Sequence, residues 1–279
     1  MDVKNHNMNK EKPIMRKRFR IIAYLAFFFG IVMAVSQYFE FVSKTVYEES
    51  VSHLTEVFHQ SDNMLGELTH KNLMYLHMWS EYLQDAPSES KIRDYIDKAQ
   101  KDAGFLYFYF LSADGNYKMT TGETGYLGLQ ENIEDEIQKG NDIITNAAVP
   151  GKSQMLVFAS PKAHGSYQGF KYDAIAIAYE NADIVNVLDI SAFNGKAKSY
   201  VLHPDGRVVI DHSLESWGNV YNFFGILREH TDISEKEILK ISKKFKEGHT
   251  GAMLLNLDGK DYYLVYEKSD IQDWVFLGL

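Results

Sequence analysis

Residues 105–122, FLYFYFLSADGNYKMTTG, read as two strands joined by a tight turn at Asp114-Gly115. Asp-Gly between apolar runs is a strong hairpin signal, because both residues tolerate the positive φ that tight turns demand. Tyr107 and Tyr109 alternate with Phe108 and Phe110, so the tyrosines share one face of the strand and the phenylalanines the other. A second hairpin of this kind, KSYVLHPDGRVVIDH at 198–212, turns at Asp205-Gly206. Helical stretches follow each hairpin: 127–139 in the first case, 223–228 and 234–246 in the second. Three strand-like runs then close each unit. They are 142–149, 153–162 and 170–180 in the first, and 251–257, 260–268 and 274–279 in the second, where a third Asp-Gly turn stands at 258–259. That order, strand, strand, helix, three strands, predicts one antiparallel sheet per unit with helices on one side. Residues 183–189 read as a helical bridge between the units.

Upstream, residues 41–83 lack Pro and contain only Gly66. Leu54, Phe58, Leu65, Leu68, Tyr75, Trp79 and Tyr82 fall on steps of three and four, with Ser61 and Asn72 completing a heptad-like seam. A continuous helix of this length reaches about 64 Å. The seam suits pairing with a second copy, packing on the chain's own sheets, or both. The expectation is a weak homodimer through Leu54, Phe58, Leu65 and Leu68, with Trp79 and Tyr82 packed on the first unit. Ser88 to Gln100 reads as a short helix.

Still further upstream, IIAYLAFFFGIVMAVSQYF at 21–39 carries no formal charge. As a helix it spans about 28 Å, close to a bilayer core. It exceeds a signal-peptide core, and its aromatic end offers no small-residue cleavage site. Arg16, Lys17, Arg18 and Arg20 precede it directly, which predicts a cytoplasmic N-terminus and an extracytoplasmic remainder. The chain ends inside the apolar run 273–279, and a continuation into a return span and a cytoplasmic output domain is expected.

The 279 residues include 38 acids and 29 bases, for a net charge of -9, and no Cys. Disulfides, cysteine–zinc sites and thiol nucleophiles are therefore excluded. Residues 1–20 hold seven bases against two acids, so the remainder is more acidic still, at -14. No broad basic face is left for nucleic acid. The sequence contains no GxSxG, HExxH, phosphate loop or dinucleotide fingerprint. His203, Asp205, Asp211 and His212 cluster on one hairpin but read as solvated hairpin ends. No catalytic residue, metal site or cofactor is expected in residues 1–279.

One membrane helix, a long stalk and two tandem PAS-like units resemble the double Cache sensor family, the extracytoplasmic part of bacterial receptors. The strings GFKYDAIAIAY (169–179), YNFFGILREH (221–230) and DYYLVYEKSDIQDWVFLGL (261–279) are similar to sensor regions of membrane histidine kinases and diguanylate cyclases. The expected class is α+β, a long N-terminal helix carrying two antiparallel sheets behind one transmembrane helix. Expected segments are a basic tail at 1–20, the span at 21–40 and the stalk at 41–83. A membrane-distal ligand-binding unit at 84–190 and a membrane-proximal unit at 191–279 follow. The resemblance implies a small-molecule receptor, with a membrane-anchored solute-binding protein as the alternative. Amino-acid-binding members share an Arg-x-Trp element. The corresponding stretch here, about 126–137, has neither Arg nor Trp, so the ligand class stays open.

Tyrosines crowd the first unit, and a tyrosine wall with an isolated carboxylate suits a small polar or cationic ligand. The candidate binding residues are Asp173, Tyr107, Tyr109, Tyr117, Tyr126, Phe158 and Tyr172. Asp173 is expected to enter the same cavity as Tyr107 or Tyr109, because first and last strands of such a sheet are neighbours.

Overall fold

The computed structural model describes residues 8–85, 88–129, 133–148, 154–188, 198–212 and 222–279. Helix α1 (Met8–Asp85) runs without interruption, and two compact units divide at Ser52 and His53. In the first unit the apolar side chains stand exposed from Ile22 to Phe41, Phe27 at 70 %. This part of α1 is long and apolar enough to cross a membrane.

From His53 onward α1 buries one face: Leu54, Phe58, Ser61, Leu65, Thr69, Asn72, Leu76, Trp79 and Leu83. These are steps of three and four, the stripe of a helix lying on a core. The Phe58 ring stacks on Phe276 at 5.9 Å, and Trp79 meets Phe105 and Phe108 at 5.3 and 6.1 Å. A Cβ at Gly278 would stand 2.8 Å from the Phe58 ring and 3.1 Å from Leu54, so only glycine admits the helix there. This corrects three of the four residues expected at a dimer seam, while Leu68 stays half-buried. Leu54, Phe58 and Leu65 lie within the chain's own core, because two apolar sheets offer them partners that need no second copy.

Behind α2 (Glu89–Ala103) come β1 (Tyr107–Leu111), β2 (Asn116–Lys118), β3 (Thr124–Tyr126), β4 (Gly128–Leu129), α3 (Glu134–Lys139), β5 (Ile143–Ala148) and β6 (Met155–Ser160). The first sheet closes with β9 (Ala174–Glu180) in the antiparallel order β3-β2-β1-β9-β6-β5-β4. The strand expected over 170–180 is split. A separate hairpin of β7 (Gly165–Tyr167) and β8 (Phe170–Tyr172) ends at Asp173, and β9 begins after it. The expected helix at 127–139 is shortened to α3, with β4 before it and 130–132 outside the described residues.

Helix α4 (Asn181–Leu188) follows the first sheet, and the expected boundary between the two PAS-like halves at 190–191 lies outside the described residues. The second sheet contains β10 (Ser199–Leu202), β11 (Val208–His212), β12 (Gly251–Leu257), β13 (Lys260–Lys268) and β14 (Val275–Gly278), ordered β11-β10-β14-β13-β12. One face packs on α5 (Phe223–His230) and α6 (Glu235–Lys246), through Phe223, Leu227, Ile241 and Phe245. Ser234 and Glu237 form a capping box at the start of α6. In each sheet the core order of strands within the unit is second, first, last, fourth, third.

Asparagines join the two sheets. Asn146 of β5 donates to the Val208 carbonyl at 3.1 Å, and its Oδ1 lies 3.3 Å from His203 Nε2. Asn181 and Asp211 exchange two bonds, 2.8 and 3.1 Å long.

Candidate ligand-binding site

Strand pairing assembles one face of the first sheet row by row. Tyr109 lies opposite Ala176, which lies opposite Ala159, itself opposite Ile143. In the neighbouring row Tyr107 faces Ala178, then Val157, then Thr145. Strands stand about 4.8 Å apart, so Tyr107 and Thr145 flank a floor roughly 14 Å wide. Small side chains pave it, since β9 sends Ala174, Ala176 and Ala178 to this side. Leu127, Ile133 and Ile137 pack on this face as a cover, and Leu129 of the edge strand β4 borders it.

The polar atoms on this face are poorly served. Tyr109 is 0 % exposed, and its hydroxyl reaches only the Met155 thioether, at 4.0 Å. Sulfur is a weak acceptor. Burial pushes the Tyr109 phenol far up, and the neighbouring Tyr117, Tyr107 and Glu123 push in the same direction. Thr145, also buried, donates to the Asn146 carbonyl at a long 3.4 Å. The Tyr107 and Tyr109 rings stack at 5.9 Å, and Tyr117 stands edge-on to Tyr109 at 4.7 Å. The Tyr117 hydroxyl donates to Glu123 at 3.4 Å. Its phenol is raised by desolvation first and by Glu123 second. Aromatic rings, a small-residue floor and two under-partnered hydroxyls thus come together on one buried face of the first sheet.

No family model matches the chain, and no curated protein sequence matches it. Solved structures do. The ligand-binding domain of the Pseudomonas aeruginosa amino-acid chemoreceptor PctB, in complex with L-Arg, aligns with a TM-score of 0.56 at 14 % identity, covering 83 % of this chain and 94 % of that one. The extracellular domain of mmHK1S-Z3, named as a histidine kinase, aligns at 0.54 and 12 %, covering 85 % and 93 %. The Campylobacter jejuni chemoreceptor Tlp3 with 4-methylisoleucine aligns at 0.51 and 9 %, covering 83 % and 90 %. The chain has the double Cache fold. At these identities the likeness carries the architecture and not the ligand.

Within this double Cache chain the seven expected site residues separate. Tyr107, Tyr109 and Tyr117 come together as described. Asp173 does not join them. It is exposed, its Oδ2 accepts from the Ala113 amide at 2.8 Å, and its own amide donates to Leu111. A carboxylate beside the free amides of a turn is held there, and so Asp173 secures the β1–β2 turn. Phe158 is buried on the opposite face, edge-on to Tyr179 at 6.1 Å. Tyr172 packs on Phe110, ring to ring at 4.9 Å, also behind the sheet. Tyr126 pairs with Asn116, out of phase with Tyr117, and is 59 % exposed.

Thr145, Glu123 and the alanines of β9 were not singled out by the sequence reading. The alternation Ala-Ile-Ala-Ile-Ala at 174–178 was the available signal: one face of that strand is small throughout. On the hairpin whose ends were expected to be solvated, His203 is buried instead and turns inward to Asn146, while Asp205 accepts from Arg207 Nε at 2.7 Å. The His212 side chain lies outside the described residues.

Proposed function

We propose that residues 1–279 form the extracytoplasmic sensing region of a bacterial membrane receptor, with residues 21–40 as its anchor. Its output domain follows residue 279 and is assigned as a histidine kinase, with a diguanylate cyclase as the alternative. In this reading a small molecule binds the tyrosine face of the first sheet, and residues 1–279 carry no catalysis. The observation that carries the reading is the pair of buried, under-partnered hydroxyls of Tyr109 and Thr145 over an alanine floor. The double Cache fold supports it, since its solved relatives include ligand-binding and extracellular sensor domains.

A ligand that completes those hydrogen bonds lifts Ile133 and Ile137 of the α3 cover and draws on β5. Asn146, one residue from Thr145 and on the opposite face, passes the movement to the second sheet through Val208 and His203. The differential affinity of the ligand for the moved state sets how far the equilibrium shifts. The test is a thermal-shift screen of the full chain in detergent against small metabolites. A ligand that binds the native state raises its melting temperature. Thr145→Val and Tyr107→Leu should each remove that rise. A rise that both variants preserve would place the ligand elsewhere.

A further inference from the structure

We infer that the ligand of the tyrosine face is a small organic cation, an amine or quaternary ammonium carrying no carboxylate. This inference rests on the binding site proposed above and names its ligand class.

Charge bookkeeping on the face comes first. Among the described residues that line it or cover it there is no Lys, Arg or His. Two nearby lysines are engaged elsewhere: Lys118 reaches the Gln168 carbonyl at 3.1 Å, and Lys139 reaches Glu136 at 2.7 Å. A ligand carboxylate under the cover would leave water without a counter-charge, which is strongly unfavourable. A cation meets the reverse situation. Glu123 stands at the Tyr117 hydroxyl, and the first turn of the covering helix α3 carries Glu134 and Asp135 beside the lysine-paired Glu136.

Ring geometry points the same way. Tyr107 and Tyr109 stack with an interplanar angle of 26°, and Tyr117 closes on Tyr109 at 62°. Aromatic faces carry negative quadrupole density and attract a cation placed within about 6 Å of the centroid. A third observation is independent of charge. The Tyr109 hydroxyl is enclosed completely and has only a thioether as partner. Its oxygen remains able to accept from an ammonium N–H or to face an alkylated nitrogen. The alanines at 174, 176 and 178 leave depth for a branched head such as trimethylammonium, once the apolar cover lifts.

The experiment uses the full chain in detergent micelles, titrated calorimetrically with four probes. Choline and n-butylammonium are the cations. 3,3-Dimethylbutan-1-ol is the uncharged isostere of choline, and glycine betaine adds a carboxylate to the same head. At least one cation should bind tenfold or more tightly than both the alcohol and betaine. Tyr107→Leu should weaken that cation at least fivefold, and Glu123→Gln by a smaller factor, with the unliganded melting temperature of Glu123→Gln unchanged. Because Tyr107 is half-buried, circular dichroism checks that its variant folds. Binding of the alcohol or betaine as tightly as the cations overturns the inference, and so does a lack of binding by both cations at millimolar concentration. A carboxylate-bearing metabolite that binds and is lost in Thr145→Val overturns the cation class alone and leaves the site standing. A cation whose binding ignores both Tyr107→Leu and Thr145→Val overturns the site itself.

Discussion

The His203 ring is enclosed between Trp274, 6.0 Å away centroid to centroid, and the Asn146 carboxamide. Burial first, and Arg207 after it, hold its pKa down to about 4 against the opposing pull of Asp205. A histidine whose folded pKa lies below the unfolded value of 6.5 contributes its stability above pH 6.5 and loses it as pH falls toward 4. The full effect is about 3 kcal/mol. The stability gap between the parent and His203→Gln should therefore narrow from pH 7.5 to pH 4.5 in thermal unfolding; a gap that stays constant would contradict this assignment. Asp173 gives the opposite lesson. Its alternation with Tyr172 and Ala174 marked it as a strand residue, and nothing local showed that the Ala113 amide would claim it. Asp173→Ala should cost about 1 kcal/mol in urea unfolding, the worth of one exposed charge-assisted bond. Ligand-induced stabilisation should survive that change.

Between residues, elements compete for partners. The apolar stripe of α1 was legible from spacing, and so was its length, but spacing is the same whether a helix meets a sheet or a second helix. With Leu54 and Phe58 set against β14, Leu54→Asp should unfold the second sheet rather than merely loosen an association. The expected loss is several kcal/mol, roughly the cost of an unpaired buried charge. Urea unfolding monitored by Trp274 fluorescence would read it; an unaltered midpoint would return Leu54 to the surface. Strand β5 presents Thr145 to the tyrosine face and Asn146 to the second sheet. Asn146→Ala should cost about 1–3 kcal/mol, because the Val208 carbonyl is left buried without its donor. Amide exchange should accelerate in β11 ahead of β1 in that variant.

Across the whole molecule, the basic run before residue 21 and the exposed apolar surface from Ile22 to Phe41 argue together for one membrane anchor with an extracytoplasmic domain. Protease added to intact spheroplasts should digest the region from His53 onward and spare residues 1–20. Protection of that region would reverse the orientation. The five core strands of both sheets share one order, and the two halves read alike in sequence because each begins with an Asp-Gly hairpin.

Local chemistry settled the elements. At the third hairpin, Asp258 and Gly259 take φ of 50° and 78°, a turn whose conformation those two residue types favour on their own. The flanking strands Gly251–Leu257 and Lys260–Lys268 accordingly fall where alternation placed them. Pairing and face were decided by tertiary structure alone. Tyr107, Tyr109 and Tyr117 came to share one face with three alanines because β9 inserted beside β1. Phe158 and Tyr172 fell on the other face, because a period of two names two faces without saying which one the tyrosines take. The sequence by itself determined most strands, the turns, the stalk and the apolar segment, since those depend on neighbours a few positions away; the break at Asp173 and the short α3 lay outside its reach. Which side chains meet was left to contacts between residues far apart in the chain, where β5, β9 and α1 compete for the same apolar surface.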